Sequence, residues 1–327
     1  MFKITSDIEI GNYKAVKPSA LAWTKSIDNF SDSCTIKLPA IAMLKREGDV
    51  YEQVQTGQQF KEGMPVAVYV GYDGNNDLHF KGFIRRINFT VPLEIECEGY
   101  SYQLRKKTNY NKKIIAGMKL KAVLSDLIQG TDIVLSPNIP DVAIDSNHQF
   151  NNFRGIDVLD WIKDKMLLTV YFDNEKLYVG LQQAVVAGTV KYRLGWNVIK
   201  DNELKFNTDK EFAKVNFILD QPRAKDGTYK KGIKDSKYTD EYRTKIGVRF
   251  PKAFLDQLAD DLKNKLVNRG YEGAITTFLK PFAKPSMAAA IDDKKYPERA
   301  GRYFITGVEG KMDSGGGRLK IKIGNAL

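Results

Sequence analysis

Apolar and polar residues alternate in two stretches of the chain that follow the same order. The first stretch comprises Met64 to Gly71, Phe80 to Ile87 and Leu93 to Gly99, and the second comprises Met287 to Asp293, Gly301 to Val308 and Arg318 to Gly324. An apolar residue at every second position predicts a strand with one buried face. Each stretch therefore predicts three consecutive antiparallel strands, and their likeness predicts two related β domains.

A helical period replaces this alternation in three places. Apolar residues three and four positions apart predict one buried helix face. The three stripes are Leu120, Val123, Leu124, Leu127 and Ile128; Val158, Leu159, Ile162 and Met166; and Leu255, Leu258, Leu262 and Leu266. Gly130 suits the end of the first helix and Pro251 the start of the third. A hairpin is predicted from Leu168 to Leu181, so the middle of the chain indicates a small α/β module.

These elements predict an α+β fold that is mainly β. At 327 residues the chain exceeds the size at which one core usually keeps growing. We expect a first β-barrel-like domain over 1–104, an α/β module of two helices and a hairpin over 105–186, and a second β-barrel-like domain with one helix over 187–327. The segment 222–242 is rich in Lys, Asp, Gly and Tyr, which favours an exposed hairpin tip or loop.

The formal net charge is +11, and one segment carries no acidic residue between Glu98 and Asp126. Its cations are Arg105, Lys106, Lys107, Lys112, Lys113, Lys119 and Lys121. A solvated connector is the commonest explanation of such a run. Tyr102 and Tyr110 lie within it, and basic and aromatic side chains together also suit nucleic-acid binding. A third hypothesis is that Arg105, Lys106, Lys107, Lys112 and Lys113 contact another subunit or a partner.

The residue types that usually support catalysis or metal binding form no recognisable constellation. Cys34 and Cys97 lie in alternating runs, which predicts buried, reduced thiols, and His148 is expected in a polar surface loop. Asp157, Asp160 and Asp164 share one helical face and are expected to be solvated. Asp313 to Gly317 lies between two strands, so a hairpin tip is expected there rather than a phosphate cradle. The sequence therefore predicts a protein that is not an enzyme and needs no cofactor or metal.

The beginning of the chain alternates like a strand and lacks the features of a signal peptide. No apolar run reaches the roughly 20 residues that a membrane span requires. We therefore expect a soluble protein that is made in the cytoplasm.

Particular residues resemble a known family. They are Phe153 to Ile162, Val170 to Gly180, Gly273 to Phe278, Pro285 to Asp293, Gly301 to Val308 and Gly316 to Gly324. With the order of elements over nearly the whole chain, they are similar to the late control D and baseplate hub family of contractile phage tails, and to the hub domains of type VI secretion spikes. The resemblance implies a homotrimer whose two barrels per chain alternate in a ring of six.

In that family the ring joins a sixfold tail tube to a threefold spike, and DNA or cargo passes through it. The resemblance therefore implies a tube protein and a spike protein as partners, a place in the virion baseplate or a phage-like particle, and assembly in the bacterial cytoplasm. Because the chain stops after the second β stretch, we expect the spike to be a separate polypeptide. Whether the particle is a phage, a prophage remnant or a secretion machine stays open.

Two other functions are kept as alternatives. The basic segment suits a β-barrel protein that binds nucleic acid. A weaker alternative is a cell-wall hydrolase of the same kind of particle, in which Asp157 and Asp160 would carry the chemistry.

Overall fold

The computed structural model describes residues 3–45, 50–182, 186–207, 216–222, 231–234, 239–266 and 270–327. The chain is mainly β with α-helices packed beside the sheets, which confirms the predicted fold class. We call the strands near the beginning of the chain the first β block. They are β1 (Ile4–Ile10), β2 (Ala20–Ser26), β3 (Ser33–Leu38), β4 (Ile41–Lys45), β5 (Tyr51–Gln55), β6 (Pro65–Tyr72), β7 (Asn75–Asn88) and β8 (Leu93–Glu98).

The central part of the chain contains short strands and three helices. They are α1 (Ser101–Lys106), β9 (Tyr110–Ile114), β10 (Met118–Lys119), α2 (Leu120–Ile128), β11 (Val134–Leu135), β12 (Ala143–Ile144), β13 (His148–Phe153), α3 (Gly155–Met166), β14 (Thr169–Asp173) and β15 (Lys176–Gly180). Helices α2 and α3 and the hairpin of β14 and β15 confirm three predicted elements. Helix α1 was not predicted, so the described residues contain four helices rather than three.

The remaining elements form what we call the second β block and an insertion within it. The block consists of β16 (Thr189–Arg193), β17 (Val198–Lys200), β18 (Lys205–Asn207), β22 (Gly270–Thr277), β23 (Ala288–Asp292), β24 (Gly301–Asp313) and β25 (Gly316–Ala326). The insertion consists of β19 (Asn216–Asp220), β20 (Lys231–Lys234), β21 (Glu241–Lys245) and the predicted third helix, α4 (Lys252–Leu266). The turn between β24 and β25 is the predicted hairpin tip.

The two β blocks have the same strand order. Leaving aside the hairpin of β4 and β5, the first block has six strands, which lie in the order β1, β6, β7, β8, β3, β2. In the second block the order is β16, β23, β24, β25, β22, and then β17 and β18, which together take the place of one strand. When the six strands of each block are numbered along the chain, their order across the sheet is the same in both blocks: first, fourth, fifth, sixth, third, second.

A shared irregularity strengthens this correspondence. The fifth strand of each block has one extra residue where it pairs with the sixth, Arg85 in β7 and Thr306 in β24. One difference separates the blocks, because β1 runs antiparallel to β6 whereas β16 runs parallel to β23. The likeness predicted from the alternating stretches is thus a likeness of topology.

The buried residues fall into two main clusters that do not follow the predicted borders. One cluster combines both β blocks, from Ile8 and Trp23 to Ile321. The other lies under the central helices and also includes Phe217 of β19 and Leu255 of α4. Helix α4 and its sheet, expected within the second β domain, therefore share a core with the central module. As a division into domains, 1–104, 105–186 and 187–327 stays a prediction.

The segment 222–242 is only partly described. Strand β20 and the first part of β21 fall within it, and both pair with β19. Residues 223–230 and 235–238 lie outside the described part of the chain, so the predicted exposed tip is not described.

Candidate subunit and partner interface

Arg105, the first residue of the predicted contact site, holds a buried carboxylate. Its Nε lies 2.9 Å from Oε2 of Glu98 and its Nη2 lies 2.9 Å from Oε1 of the same group. The hydroxyl of Ser101 donates a third hydrogen bond to Oε1 at 2.7 Å. Because a buried charge is costly unless it is paired, Arg105 stabilises the junction between β8 and α1.

Lys107 and Lys112 also have partners within the chain. Lys107 Nζ donates to the carbonyl oxygens of Leu127 at 2.8 Å and Gln129 at 2.9 Å, at the carboxyl end of α2, where a cation is favoured. Lys112 Nζ lies 2.6 Å from Oδ1 of Asp126. Burial alone would raise the pKa of Asp126, but hydrogen bonds from Lys112 and Tyr110 lower it instead.

Lys106 and Lys113 are exposed, and Lys106 lies over the ring of Tyr102. The structure thus brings the five predicted contact residues together around α1 and β9, but only these two extend their charge into solvent. The predicted contact with a subunit or partner stays a prediction for the segment. The same partners reduce the free positive charge on which the nucleic-acid alternative depends.

The carboxylates that the hydrolase alternative would use do not converge. Asp157 accepts hydrogen bonds from Arg154 at the start of α3, and this contact holds the pKa of Asp157 below its usual range despite partial burial. Asp160 and Asp164 are exposed on the same helix. Burial, with the nearby charges of Asp164 and Asp157, raises the pKa of Asp160. Asp157 therefore caps a helix, and the spacing alone does not assemble an acid and base pair.

His148 corrects an expectation, because it does not lie in a surface loop. It begins β13 and stacks on Trp161 of α3, with ring centroids 4.3 Å apart. Burial lowers its pKa. Cys34 and Cys97 are buried and free, as predicted, and they face each other across β3 and β8. No group of metal-ligating side chains occurs among the described residues, and none of the described helices is long and apolar enough to span a membrane.

The most extensive contact between the two β blocks is a strand pair, which we call the seam. Strand β2, the second of the first block, pairs antiparallel with β24, the fifth of the second block, from Leu21 opposite Met312 to Ser26 opposite Gly307. Trp23 lies opposite Gly310 and is 2% exposed. A Cβ on Gly310 would lie 1.9 Å from Cε2 of Trp23, so only glycine allows the indole to cross the seam.

A loop of the second block completes the seam. Residues 278–287 connect its third and fourth strands, and they reach across to β6 and β7 of the first block. Phe282 packs edge to face against His79 with centroids 5.2 Å apart, and Lys280 Nζ donates to Oδ2 of Asp77. Lys284 Nζ lies 2.6 Å from Oδ2 of Asp173 in the central module. The loop therefore ties together three parts of the chain.

Polar groups are buried beneath this loop. Lys25 and Asp32 lie 3.7 Å apart, both with less than 9% of their side chains exposed, and Lys25 Nζ donates to Oδ1 of Asn174 at 3.0 Å. Burial raises the pKa of Asp32 to about 7, against the opposing attraction of Lys25. A cavity of about 230 Å³ adjoins these groups and is lined by Trp23, His79 and Phe282. The seam is thus closed by strand pairing, apolar packing and buried charge.

The seam joins the second strand of one block to the fifth strand of the other. The remaining second strand and the remaining fifth strand both lie at open edges of the sheet. The fifth strand of the first block is β7, and the second strand of the second block is the pair β17 and β18. Within the described residues, no strand pairs with β7 beyond Ile84 on the side away from β8, where Ile84 still bonds Gly63 and Met64. On the side of β17 and β18 away from β22 there is only an isolated bridge between Val198 and Leu194 in the described part of the chain. Exposed apolar side chains accompany both edges: Phe89 and Val91 beside β7, and Trp196, Phe206 and Tyr296 beside β17 and β18.

Sequence reasoning missed the residues that form the seam. Gly310 and Trp23 are 287 positions apart, and nothing in the local pattern of either residue indicates the other. The exposed hairpin of β4 and β5 was also missed. Its signal is weak: Ile41 and Met43 alternate with small or apolar neighbours, and Tyr51 and Val54 lie three positions apart among polar residues.

No family model matches the chain, and no curated protein matches it. Solved structures do match over nearly its whole length. A tail protein from Neisseria meningitidis MC58 has a TM-score of 0.66 at 13% identity, over 98% of this chain and 96% of that one. The 43 kDa tail protein of prophage MuSo2 from Shewanella oneidensis has a TM-score of 0.63 at 10% identity, over 99% and 97%.

A component of the E. coli type VI secretion system, which is itself structurally similar to the T4 bacteriophage tail proteins gp27 and gp5, has a TM-score of 0.59. Its identity is 10%, over 98% of this chain and 76% of that one. At these identities the matches establish the fold. The chain has the fold shared by phage tail proteins and this secretion component, as the resemblance in the sequence predicted.

Proposed function

We propose that the chain is a structural hub subunit of a contractile tail or a related injection machine, and that three copies close into a ring with pseudo-sixfold symmetry. The observation that carries the proposal is the repeated block. One chain presents the same six-strand arrangement twice, joined edge to edge at the seam. Both ends of this two-block unit then carry the strands that a further seam would need.

The two open edges are equivalent to the two strands that pair at the seam. A seam joins a second strand to a fifth strand, and the chain has one of each still open, β17 with β18 and β7. Contacts of this head-to-tail kind form a ring when the rotation closes. Three chains would place six blocks in the ring, so a threefold assembly can face a sixfold partner.

If the second seam has the register of the first, its opposing residues can be named. Thr24 lies opposite Glu309 in the closed seam. Lys205 takes the place of Thr24 in the second block, and Asn88 takes the place of Glu309 in the first, by the pairings with the neighbouring strands. The ring therefore brings Lys205 of one copy opposite Asn88 of the next. Pairing also covers open strand edges, which otherwise favour aggregation.

In the particle this ring would join a tail tube protein on one face to a central spike on the other. Its partners are thus further copies of itself, the tube protein and the spike protein, and its place is the tail baseplate, with assembly in the bacterial cytoplasm. Interfaces of this permanent class usually bury more than about 2,000 Å².

The solution mass tests the proposal. For the chain alone, sedimentation equilibrium should give three times 37.0 kDa over a wide concentration range. If the trimer forms only with the spike and tube proteins, the mass of the complex should account for three copies of this chain. Electron micrographs of the same sample should show six similar densities around a central channel. A monomer under all of these conditions, or a dimer with closed twofold symmetry, would contradict the ring.

A further inference from the structure

The connection between the third and fourth strands differs most between the two β blocks. In the second block it is the loop 278–287, which docks on the first block and completes the seam. In the first block it is 39–64, which includes the hairpin of β4 and β5. If each seam is built alike, the first block's connection must reach a neighbouring block in the same way. A contact of this kind depends on the proposed ring.

The hairpin of β4 and β5 carries apolar side chains that its own chain leaves exposed. Ile41, Met43 and Tyr51 are each about half exposed or more, and Met43 reaches 62%. On the other face, Ala42, Leu44 and Val54 are only half-buried. A two-stranded hairpin with apolar residues on both faces is at best marginally stable alone. Clustered exposed apolar side chains commonly mark an interaction surface.

A cleft lies near the corresponding place in the second block, between the start of its second strand and the segment before its fifth strand; Leu204, which takes the place of Trp23, follows the cleft along the chain. At the seam within the chain, Phe282 of the second block lies between two strands of the first block. It is close to Trp23 in the second strand of that block, β2, and to His79 near the start of its fifth strand, β7. In the second block, Val198 and Lys200 of the second strand and the segment between the fourth and fifth strands line a cleft of about 480 Å³. Tyr296 and Arg299 form the wall on that side, and Arg299 lies over the Tyr296 ring.

Two exposed aromatic side chains lie at the rim of this cleft. Trp196 follows the lining residue Gly195 and is 79% exposed, and Tyr296 is 41% exposed. Exposed aromatic and arginine side chains are the types that most often anchor protein interfaces. The cleft thus offers exposed aromatic side chains, and Arg299 is held against Tyr296 by its hydrogen bond to Asp201.

We propose that the hairpin of β4 and β5 in one copy docks into the cleft beside Trp196, Tyr296 and Arg299 of the next copy. The hairpin would pack across the proposed seam between chains in the same way that loop 278–287 packs across the seam within the chain. It enters with Ile41, Met43 and Tyr51 as its apolar contacts. The partner is therefore a second copy of this chain, and the contact has a defined direction.

Mixing two single-cysteine variants tests this contact. Chains with Met43→Cys are mixed with chains with Tyr296→Cys and treated with a short bismaleimide, since the native Cys34 and Cys97 are buried. The mixture should give a cross-linked dimer that neither variant gives alone. Asp164→Cys, an exposed position on α3 of the central module, replaces Tyr296→Cys in the control and should give no such product.

A second experiment removes the apolar contacts of the hairpin and leaves the open edges of β7 and of β17 with β18 unchanged. Ile41→Ser, Met43→Ser and Tyr51→Ser together should weaken trimer formation at least about tenfold while the melting temperature of the isolated chain hardly changes. If the wild-type chain is a trimer but the cross-link matches its control, the hairpin inference is wrong and the ring stands. If the wild type never forms a trimer, both the ring and the hairpin contact are wrong.

Discussion

The closed seam and the open edges are made from equivalent strands, yet their surroundings differ sharply. At the seam, β2 and β24 pair over six residues and bury Trp23 against Gly310. At the open edges, Phe206 and Trp196 remain more than half exposed. The hydrophobic effect favours covering such side chains. The proposed ring would account for this difference, because it would pair the two open edges of neighbouring copies.

Replacing a tryptophan in each region should give the largest contrast. Trp23→Ala removes a buried indole from the seam and should lower the free energy of unfolding by about 3–5 kcal/mol. Trp196→Ala, at an open edge, should change the stability of the isolated chain by less than about 0.5 kcal/mol. Denaturant unfolding followed by far-UV circular dichroism measures both. Equal losses would mean that the seam and the open edge do not differ as described.

A larger side chain at Gly310 tests how closely the Trp23 indole packs against β24. Gly310→Val places a side chain where the Trp23 indole lies, and it should destabilise the fold by about 2–3 kcal/mol. The matched control is Lys311→Val in the same strand, where the side chain is 71% exposed and forms an ion pair with Asp313. Thermal unfolding should separate the two variants by several degrees. A stable Gly310→Val variant would show that the indole does not cross the strand there.

The buried charge at the seam predicts a pH dependence. Because the pKa of Asp32 is raised from 3.8 to about 7, the folded chain holds a proton in that window that the unfolded chain releases. The free energy of unfolding should therefore fall as pH rises from 3.8 to about 7, with a contribution of at most about 1.4 kcal/mol per pH unit. Asp32→Asn should remove this contribution.

Unfolding curves across that pH range measure the slope. Asp28→Asn, at an exposed position just before the same turn, is the control and should keep the wild-type slope. If Asp32→Asn keeps that slope too, then Asp32 is ionised throughout and its pairing with Lys25 outweighs burial.

The smallest predicted effect is a difference between two lysines of the basic segment, one bonded within the chain and one exposed. Lys107→Met removes the hydrogen bonds at the carboxyl end of α2 and should cost about 1 kcal/mol. Lys113→Met, at an exposed position of β9, should cost less than about 0.5 kcal/mol. Chemical denaturation of both variants checks this. A larger loss for Lys113 would reassign the structural role within the segment.

The periodic elements were predictable because their signal is local. The alternation in Val66, Val68 and Val70 follows from one buried face, and the stripe of α2 follows from its contact with the central core. The likeness of the two blocks was visible for the same reason. It needed only three strands in each block to be recognised in order.

Other features could not be predicted, because they depend on contacts between distant segments. Helix α4 follows strands of the second block in the sequence but packs on the central module, and only the tertiary contacts decide between those surfaces. The parallel pairing of β16 with β23 has no local signal. Arg105 and Lys107 look like a solvated run in the sequence, and the structure shows that each holds a specific group. The seam itself joins residues from opposite ends of the chain.

The most direct test of the ring is a disulfide between the two open edges. A chain with both Asn88→Cys and Lys205→Cys carries one thiol on each edge, at positions that would lie opposite each other in neighbouring copies of the proposed ring. Oxidation should give a ladder on a denaturing gel that ends at a covalent trimer, because the third bond closes the ring. The absence of interchain bonds, or a ladder that continues beyond the trimer, would contradict a closed ring of three chains.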